Sequence, residues 1–182
     1  SWTARRESPT RAGSSTAGRA FAMRNCDVLF TSLIDHQRAA RDLAAVKATN
    51  RAARGRDLQF FTSTHVVCRP SRKEAEAYYR WYAVENADES AVDRLMTLQG
   101  LHAQSFPADV FASFRTRFAG GHGSYPIVGT PDDVAAEFTQ IARDGFSGAT
   151  FAMVNYLETM PYFVAEVLPR LERLGIRKAT LR

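Results

Sequence analysis

The sequence lacks a long hydrophobic run. No apolar stretch approaches the roughly 20 residues that a helix needs to cross a bilayer, which excludes a membrane span and a membrane partner. Cysteine is also scarce: Cys26 and Cys68 each lie in an apolar, strand-like segment, with no cysteine or histidine at metal-ligand spacing. We therefore expect no metal site and two reduced, buried thiols in a cytoplasmic protein.

A concentrated positive charge is absent as well. The formal net charge of the 182 residues is +5, but most arginines are interleaved with acidic residues along predicted helices. The basic cluster formed by Arg5, Arg6 and Arg11 is short, is opposed by Glu7 and is not mixed with aromatic residues. Nucleic-acid binding usually depends on a longer basic face with stacking aromatics, so a nucleic-acid partner is not expected.

What the sequence does contain is an alternation of apolar strands and helices. Continuous apolar runs predict strands at residues 26–31, 58–68 and 148–154, and helical spacing predicts a helix at 36–53. This alternation indicates right-handed βαβ units with a parallel sheet, and hence the α/β fold class.

A long helical stretch interrupts the alternation between the second and third predicted strands. It covers residues 87–118, and the glycine-rich segment 120–126 that follows predicts a flexible loop. The sequence Thr130-Pro131-Asp132-Asp133 then has the residues of a helix start, with an N-cap, a proline in the first turn and acids facing the helix dipole.

The final segment predicts one more helix within a single domain. This helix is expected to begin near Pro161 and to bend or break at Pro169. We expect the domain to span residues 12–177, after an irregular lead-in at 1–11 and before a short tail at 178–182.

The segment Ala12–Phe30 contains a small-residue turn that opens a helix. Gly13 allows a tight turn, and Ser14, Ser15 and Thr16 place hydroxyl donors beside the unpaired amides of the first helical turn. Such a turn is suited to bind a phosphate. The alternative interpretation is that Ser15 serves only as the helix N-cap.

The order of these elements and several motifs resemble a known family. The motifs are CDVLFT at residues 26–31, PIVGTPDDVAAEF at 126–138, DGFSGATFAMVNY at 144–156 and VAEVLPRLERLG at 164–175. Residues 9–177 resemble the C-terminal half of a bacterial luciferase-like, flavin-dependent monooxygenase of the alkanesulfonate and pyrimidine oxygenase type. The resemblance implies the C-terminal part of a (β/α)8 TIM barrel with a helical insertion, truncated at its N-terminus.

The same resemblance implies a cofactor, partners and binding residues. A two-component enzyme of this type uses reduced FMN, supplied by a separate flavin reductase, and oxygen to oxidise a small organic substrate, and the full-length parent is expected to be a homo-oligomer. Gly13, Ser14 and Ser15 correspond to residues that hold the FMN phosphate. Thr31, together with Ser32, would lie at the mouth of the barrel, near the flavin or the substrate.

The resemblance leaves the catalytic residues unassigned. No histidine of this chain matches by position the family histidine that takes part in the oxygen chemistry. A lone strand histidine such as His65 is typical of a core residue, and His122 is a weak candidate for the site rim. His36 and His102 also fail to match the family histidine. Within the insertion, which corresponds to a mobile region of related enzymes, Arg115 and Arg117 either contact the phosphate or an anionic substrate or are solvated helix residues.

Two alternatives to an FMN-dependent monooxygenase remain open. A deazaflavin-dependent oxidoreductase of the same superfamily would use the same phosphate turn, because both cofactors carry a phosphate. Alternatively, the chain is a partial, non-catalytic fragment, since part of a barrel has open sheet edges and an incomplete active site.

Overall fold

The computed structural model describes residues 11–12, 16–54, 57–101 and 108–178, which divide into two compact units. The first unit comprises the described residues up to Ser63 together with Gln140–Thr150, and the second comprises Thr64–Thr139 and the described residues from Phe151 onwards. In chain order, the strands and helices are β1 (Arg11–Ala12), α1 (Thr16–Asn25), β2 (Val28–Phe30), α2 (His36–Arg54), β3 (Gln59–Cys68), α3 (Arg72–Arg80), a π-helix (Trp81–Glu85), α4 (Glu89–Leu98), α5 (Ala108–Gly121), β4 (Tyr125–Gly129), α6 (Pro131–Arg143), β5 (Gly148–Ala152) and α7 (Tyr156–Arg173).

The first unit contains a sheet in which β1, β2 and β3 pair in parallel. Ala12 of β1 is level with Phe30 of β2, and Phe30 is level with Phe61 of β3. β5 also pairs with β3, and the backbone N–H of Ser147 donates to the carbonyl of Phe60 at 2.7 Å. The predicted parallel sheet is therefore confirmed.

The two faces of this sheet differ in their surroundings. Leu29 and Phe60 are level with each other and only 1% exposed, and the Nζ atom of Lys47 on α2 lies 5.6 Å from the Phe60 ring centroid. Because side chains alternate along a strand, Phe30 and Phe61 point to the opposite face, where both are half-buried. One face is thus covered by helix α2, and the other carries accessible aromatic rings.

The second unit is built on the C-terminal half of β3. This half pairs in parallel with β4, so that His65 is level with Pro126. Helix α3 begins with a capping box, in which the Ser71 N–H donates to Glu74 Oε2 at 3.0 Å and the Glu74 N–H donates to Ser71 Oγ at 3.2 Å. Helices α4 and α5 pack together through an apolar cluster that is centred on Val92, Met96 and Phe118.

The structure differs from the sequence expectations at two places in this unit. The segment that begins at Tyr125 is not wholly loop, because Tyr125–Gly129 forms strand β4. Helix α7 begins at Tyr156, earlier than Pro161, and its N-cap Asn155 accepts a hydrogen bond from the Glu158 N–H at 3.2 Å. The helix also continues through Pro169 as far as Arg173.

The structure also shows where the two cysteines lie, how long and apolar the helices are, and how the side chains that could bind a metal are placed. Both cysteines are buried, and burial raises the pKa of the Cys68 thiol to about 11, so this group is protonated at neutral pH. Every helix that the structure describes is too short or too polar to cross a bilayer. Among the same residues, no group of three or more histidine, cysteine, aspartate and glutamate side chains is placed to hold a metal ion.

Candidate functional site

The predicted phosphate turn lies between two described elements. Gly13, Ser14 and Ser15 themselves fall outside the described residues, so their roles stay predictions. Strand β1 ends at Ala12, helix α1 begins at Thr16, and the first turn of α1 contains no acidic residue that would repel an anion. The described flanks therefore have the strand-to-helix order that a phosphate turn requires.

The sheet register places this strand-to-helix connection beside Thr31. Since β1 and β2 are parallel and Ala12 is level with Phe30, both strands end at the same edge of the sheet. The Thr31 N–H continues the ladder beyond β2 by donating to the carbonyl of Phe61 at 2.9 Å. Ligands of parallel α/β proteins bind at this carboxyl edge, which supports the predicted placement of the site.

Thr31 and Ser32 also line a half-open cavity of about 120 Å³, here called the α2 cavity. Its wall includes Arg19 of α1, Leu29 of β2, Asp42 of α2, Phe60 of β3 and Phe146. Leu29 and Phe60 identify the cavity as lying on the side of the sheet that α2 covers. Thr31 therefore lines the cavity from the side of the sheet that faces α2.

The opposite face of the sheet carries aromatic rings and hydroxyl groups. The Phe30 and Phe61 ring centroids are 5.7 Å apart, with an interplanar angle of 39°. Farther along, Thr150 Oγ1 donates to Ser63 Oγ at 3.2 Å, and both residues are exposed. This face combines flat apolar surface with polar donors and acceptors, which suits a heteroaromatic ring system such as a flavin.

The second unit contains a buried cluster that sequence reasoning missed. His65 is 3% exposed, its Nε2 lies 2.5 Å from the Tyr82 hydroxyl, and its ring centroid is 6.5 Å from that of Tyr79. Its Nδ1 has no hydrogen-bond partner among the residues that the structure describes. Helical spacing does place Tyr79 and Tyr82 on one side of a turn, but no local signal pairs Tyr82 with a residue 17 positions earlier.

Burial makes this cluster electrically neutral. It lowers the pKa of His65 from 6.5 to about 4, and it raises the pKa values of Tyr79 and Tyr82 above their usual range. The expectation that His65 is a core residue is confirmed by its burial, although only one of its two ring nitrogens has a partner in the described structure. At neutral pH the cluster offers a neutral imidazole and two phenols, and no activated nucleophile.

The other described histidines lie elsewhere. In the first unit, His36 Nδ1 pairs with Asp144 Oδ2, and Gln140 Nε2 donates to Asp144 Oδ1 at 2.8 Å. In the second unit, His122 is exposed and has a positive φ of 54°. His102 falls outside the described residues.

The two arginines of the insertion have different surroundings. Arg115 on α5 donates from Nε to Asp93 Oδ1 at 2.9 Å and from Nη2 to Asp93 Oδ2 at 3.1 Å, and its Nη2 is 3.3 Å from Glu89 Oε2. Arg117 lies against rings, with its Cζ 5.2 Å from the centroid of Tyr125. Arg115 is therefore engaged by carboxylates of its own unit, which leaves fewer donors for a phosphate.

Comparison with known proteins places this geometry in a family. Residues 5–148 match the family model described as luciferase-like monooxygenase, whereas a search of curated proteins by sequence gave no match. Solved structures with a similar fold include the riboflavin lyase RcaE with modified FMN and riboflavin (22% identity, TM-score 0.73, covering 95% of this chain and 44% of that chain). DmoA from Hyphomicrobium sulfonivorans is 20% identical, with a TM-score of 0.75, and the match covers 95% of this chain and 43% of DmoA. The EDTA monooxygenase EmoA from Chelativorans sp. BNC1 is also 20% identical, with a TM-score of 0.71, and the match covers 94% of this chain and 46% of EmoA.

The chain spans less than half the length of these three structures. At such low identity the structural similarity establishes the fold alone, and it agrees with the α/β barrel architecture that the motifs predicted. The family model covers most of the sequence. The chain therefore belongs to the luciferase-like monooxygenase family of flavin-dependent oxidoreductases.

Proposed function

We propose that the chain forms part of a monooxygenase that uses reduced FMN and oxygen to oxidise a small organic substrate, with the flavin delivered by a separate reductase. The observation that carries the proposal is the parallel strand β1, which leads into helix α1 at the sheet edge beside Thr31. Membership of the luciferase-like family supports the redox class. The proposal includes a homo-oligomeric parent enzyme.

The residues of the first unit fit the parts of FMN. Gly13, Ser14 and Ser15 would hold the phosphate at the start of α1, with Thr31 beside them at the end of β2. The accessible face with Phe30 and Phe61 would contact the flat ring system. No acid in the first turn of α1 opposes a bound anion.

When bound, FMN would supply the redox chemistry, and the chain would supply binding, orientation and shelter from water. The turn before α1 would fix the phosphate end of the cofactor through backbone N–H groups and hydroxyls. The aromatic face would then define the position of the ring. No side chain of the described residues is assigned to proton transfer.

The phosphate turn can be tested by flavin titration of the 182-residue chain. FMN and riboflavin differ by the phosphate, so we expect FMN to bind more tightly to the wild-type chain in a calorimetric or fluorescence titration. The double variant Ser14→Ala/Ser15→Ala should lose at least about tenfold in FMN affinity, because hydrogen bonds to a charged group contribute about 1.5–3 kcal/mol each.

A matched control is available on α5. Ser113→Ala changes an exposed serine of the second unit and should leave FMN affinity unchanged. Equal affinities for FMN and riboflavin, or an unaffected double variant, would contradict the phosphate assignment. Oxygen uptake by the reductase-coupled parent enzyme tests the reaction itself.

A deazaflavin cofactor is the second candidate. A coenzyme F420-dependent tetrahydromethanopterin reductase from Methanopyrus kandleri has a similar fold, with a TM-score of 0.57 and 12% identity. Both cofactors carry a phosphate, so the turn before α1 does not separate them. Parallel titrations with FMN and the deazaflavin decide between the two, since the tighter binder identifies the cofactor. If this chain binds a cofactor without turnover, the result would support the alternative hypothesis that the chain is a non-catalytic fragment.

A further inference from the structure

The α2 cavity has an apolar floor. Leu29 and Phe60 are 1% exposed, Leu43 is 4% exposed and Phe146 is 6% exposed, and all four contribute to its lining. A cavity of about 120 Å³ is similar in size to the engineered apolar cavity of about 150 Å³ that holds benzene. The floor therefore suits one aromatic ring or a short branched alkyl group.

The rim of the same cavity carries an excess of guanidinium donors at one corner. Arg19 Nη2 and Arg38 Nε each lie 3.9 Å from Asp42 Oδ2. At this distance neither nitrogen makes a proper hydrogen bond to the carboxylate. Because Asp35 also lies on the rim, the two acids balance the charges of the two arginines, and this corner offers guanidinium N–H donors without a proper hydrogen bond, not a net positive charge.

The other acid of the rim is already engaged in the fold. Asp35 Oδ1 accepts a hydrogen bond from the Arg38 backbone N–H at 2.8 Å, which caps the start of α2. Thr31 and Ser32 add hydroxyl groups to the wall. The donors of the rim thus exceed the acceptors that hold them, and a guanidinium fork matches a carboxylate in shape.

We propose that the α2 cavity is a binding site for a small organic carboxylate whose apolar body enters the floor and whose carboxylate group lies between Arg19 and Arg38. The apolar part is held by burial against Leu29 and Phe60, and the anion completes the hydrogen bonds that Asp42 is too distant to make.

This site is separate from the flavin proposed above. The cavity lies on the side of the sheet that α2 covers, whereas Phe30 and Phe61 face the other side. Thr31 is the residue that the two sites would share, at the sheet edge. Carboxylate binding in this cavity does not depend on flavin binding, and it is tested by a separate titration.

Benzoate is the probe for this test. We expect saturable binding to the 182-residue chain, with chemical-shift changes confined to methyl groups that line the cavity, such as those of Leu29, Leu43 and Val46. Benzyl alcohol has the same ring without the charge, and it should bind at least about tenfold more weakly, because it cannot form the charge-assisted bonds.

Arginine variants locate the carboxylate. Arg19→Gln and Arg38→Gln should each weaken benzoate binding by about tenfold and leave benzyl alcohol binding unchanged. Arg41→Gln, on the same helix but outside the cavity lining, is the matched control and should bind benzoate like the wild-type chain. Circular dichroism establishes that each variant keeps its fold.

Several results would overturn the proposal. They are the absence of saturable benzoate binding, equal affinity for benzyl alcohol, and equal losses in all three arginine variants. Displacement of benzoate by FMN together with benzoate shifts outside the cavity lining would also overturn it, because the two results would place benzoate in the flavin site. If the chain fails to bind FMN and still binds benzoate as described, the proposed function fails and the carboxylate site stands.

Discussion

Gly121 of α5 lies directly against the imidazole of His65. A Cβ atom added to Gly121 would be 2.6 Å from Cβ and 2.6 Å from Cγ of His65, and 2.8 Å from its Nδ1. The absence of a side chain at Gly121 therefore allows α5 to approach the C-terminal half of β3. The same contact leaves little room at Nδ1, the ring nitrogen without a described partner.

Substitution of Gly121 by alanine should destabilise the second unit. Alanine is favoured over glycine in a helix by about 1 kcal/mol, but overpacking against a buried ring costs about 1–3 kcal/mol. Because the ring is held by Tyr82, we expect the clash to dominate, with a net loss of about 1–2 kcal/mol in urea denaturation.

The cause of this loss can be isolated with a double variant. His65→Ala removes Cγ and Nδ1, two of the three atoms that Gly121→Ala would meet, and keeps Cβ. The two substitutions should therefore cost less together than the sum of their separate effects. Additive effects would show that contact with the ring is not the cause of the loss. Ser113→Ala on the same helix is expected to change stability by less than about 0.5 kcal/mol.

His65 should make the protein less stable in mild acid. Its pKa is about 4 in the folded protein and 6.5 when unperturbed, so below pH 6.5 the unfolded chain binds the additional proton. Stability should therefore fall as the pH decreases from 6.5 towards 4 and should be unaffected by this group above pH 7. The expected loss between pH 7.5 and pH 5 is about 2 kcal/mol.

The contribution of His65 is measured by comparison with His65→Asn. This variant cannot titrate in this range, so its free energy of unfolding should depend less on pH than that of the wild-type chain, by about 2 kcal/mol between the two pH values. The paired histidine of the first unit, His36, remains in both proteins and cancels in the difference. Parallel pH profiles would contradict the buried, neutral state of His65.

Local signals predicted the elements whose hydrogen bonds are local. The start of α6 follows from Thr130 and Asp133 alone, because the Thr130 N–H donates to Asp133 Oδ2 at 2.9 Å within the same turn. Helix α3 starts with hydrogen bonds of the same local kind, between Ser71 and Glu74. The apolar run at residues 58–68 also predicted a strand, and β3 is buried over most of its length.

Strand β4 depends on pairing that the sequence does not display. Pro126 has no N–H and follows a glycine-rich segment, which favours a loop by local criteria. The strand forms because its residues pair in parallel with Thr64–Cys68, far away in the chain. Likewise, α7 tolerates Pro161 and Pro169 because Phe163, Val167 and Leu171 bury one side of the helix.

The candidate site also has parts that depend on local signals and parts that depend on contacts between distant residues. The start of α1 after Gly13, Ser14 and Ser15 could be predicted from adjacent residues, whereas the phosphate role of those three residues stays a prediction. The rim of the α2 cavity and the His65–Tyr82 pair could not be predicted, because they join residues from different elements.

Arg115 should act as a structural residue of the second unit and should not bind flavin. Its guanidinium group donates to Asp93 and is near Glu89, and these acids raise its pKa further above neutrality. We expect Arg115→Gln to lower stability by about 1 kcal/mol, with a smaller effect at high salt, and to leave FMN affinity unchanged.

Arg94→Gln provides the control for Arg115, because Arg94 is an exposed residue of the neighbouring helix α4. It should change neither stability nor FMN affinity. A loss of FMN affinity of tenfold or more in Arg115→Gln alone, with the fold intact by circular dichroism, would restore Arg115 as a ligand of the phosphate.

The cap of α6 should weaken in strong acid. Hydrogen bonds from the Thr130 N–H and hydroxyl, with Arg72 nearby, lower the pKa of Asp133 below its usual 3.8, so the folded state holds this carboxylate charged. Its contribution is present above about pH 4 and is lost as the pH falls through the lowered pKa. Asp133→Asn should cost about 1 kcal/mol at pH 7 and less at pH 2.5, measured by urea denaturation. A cost that does not change with pH would show that packing, and not the charged cap, stabilises this turn.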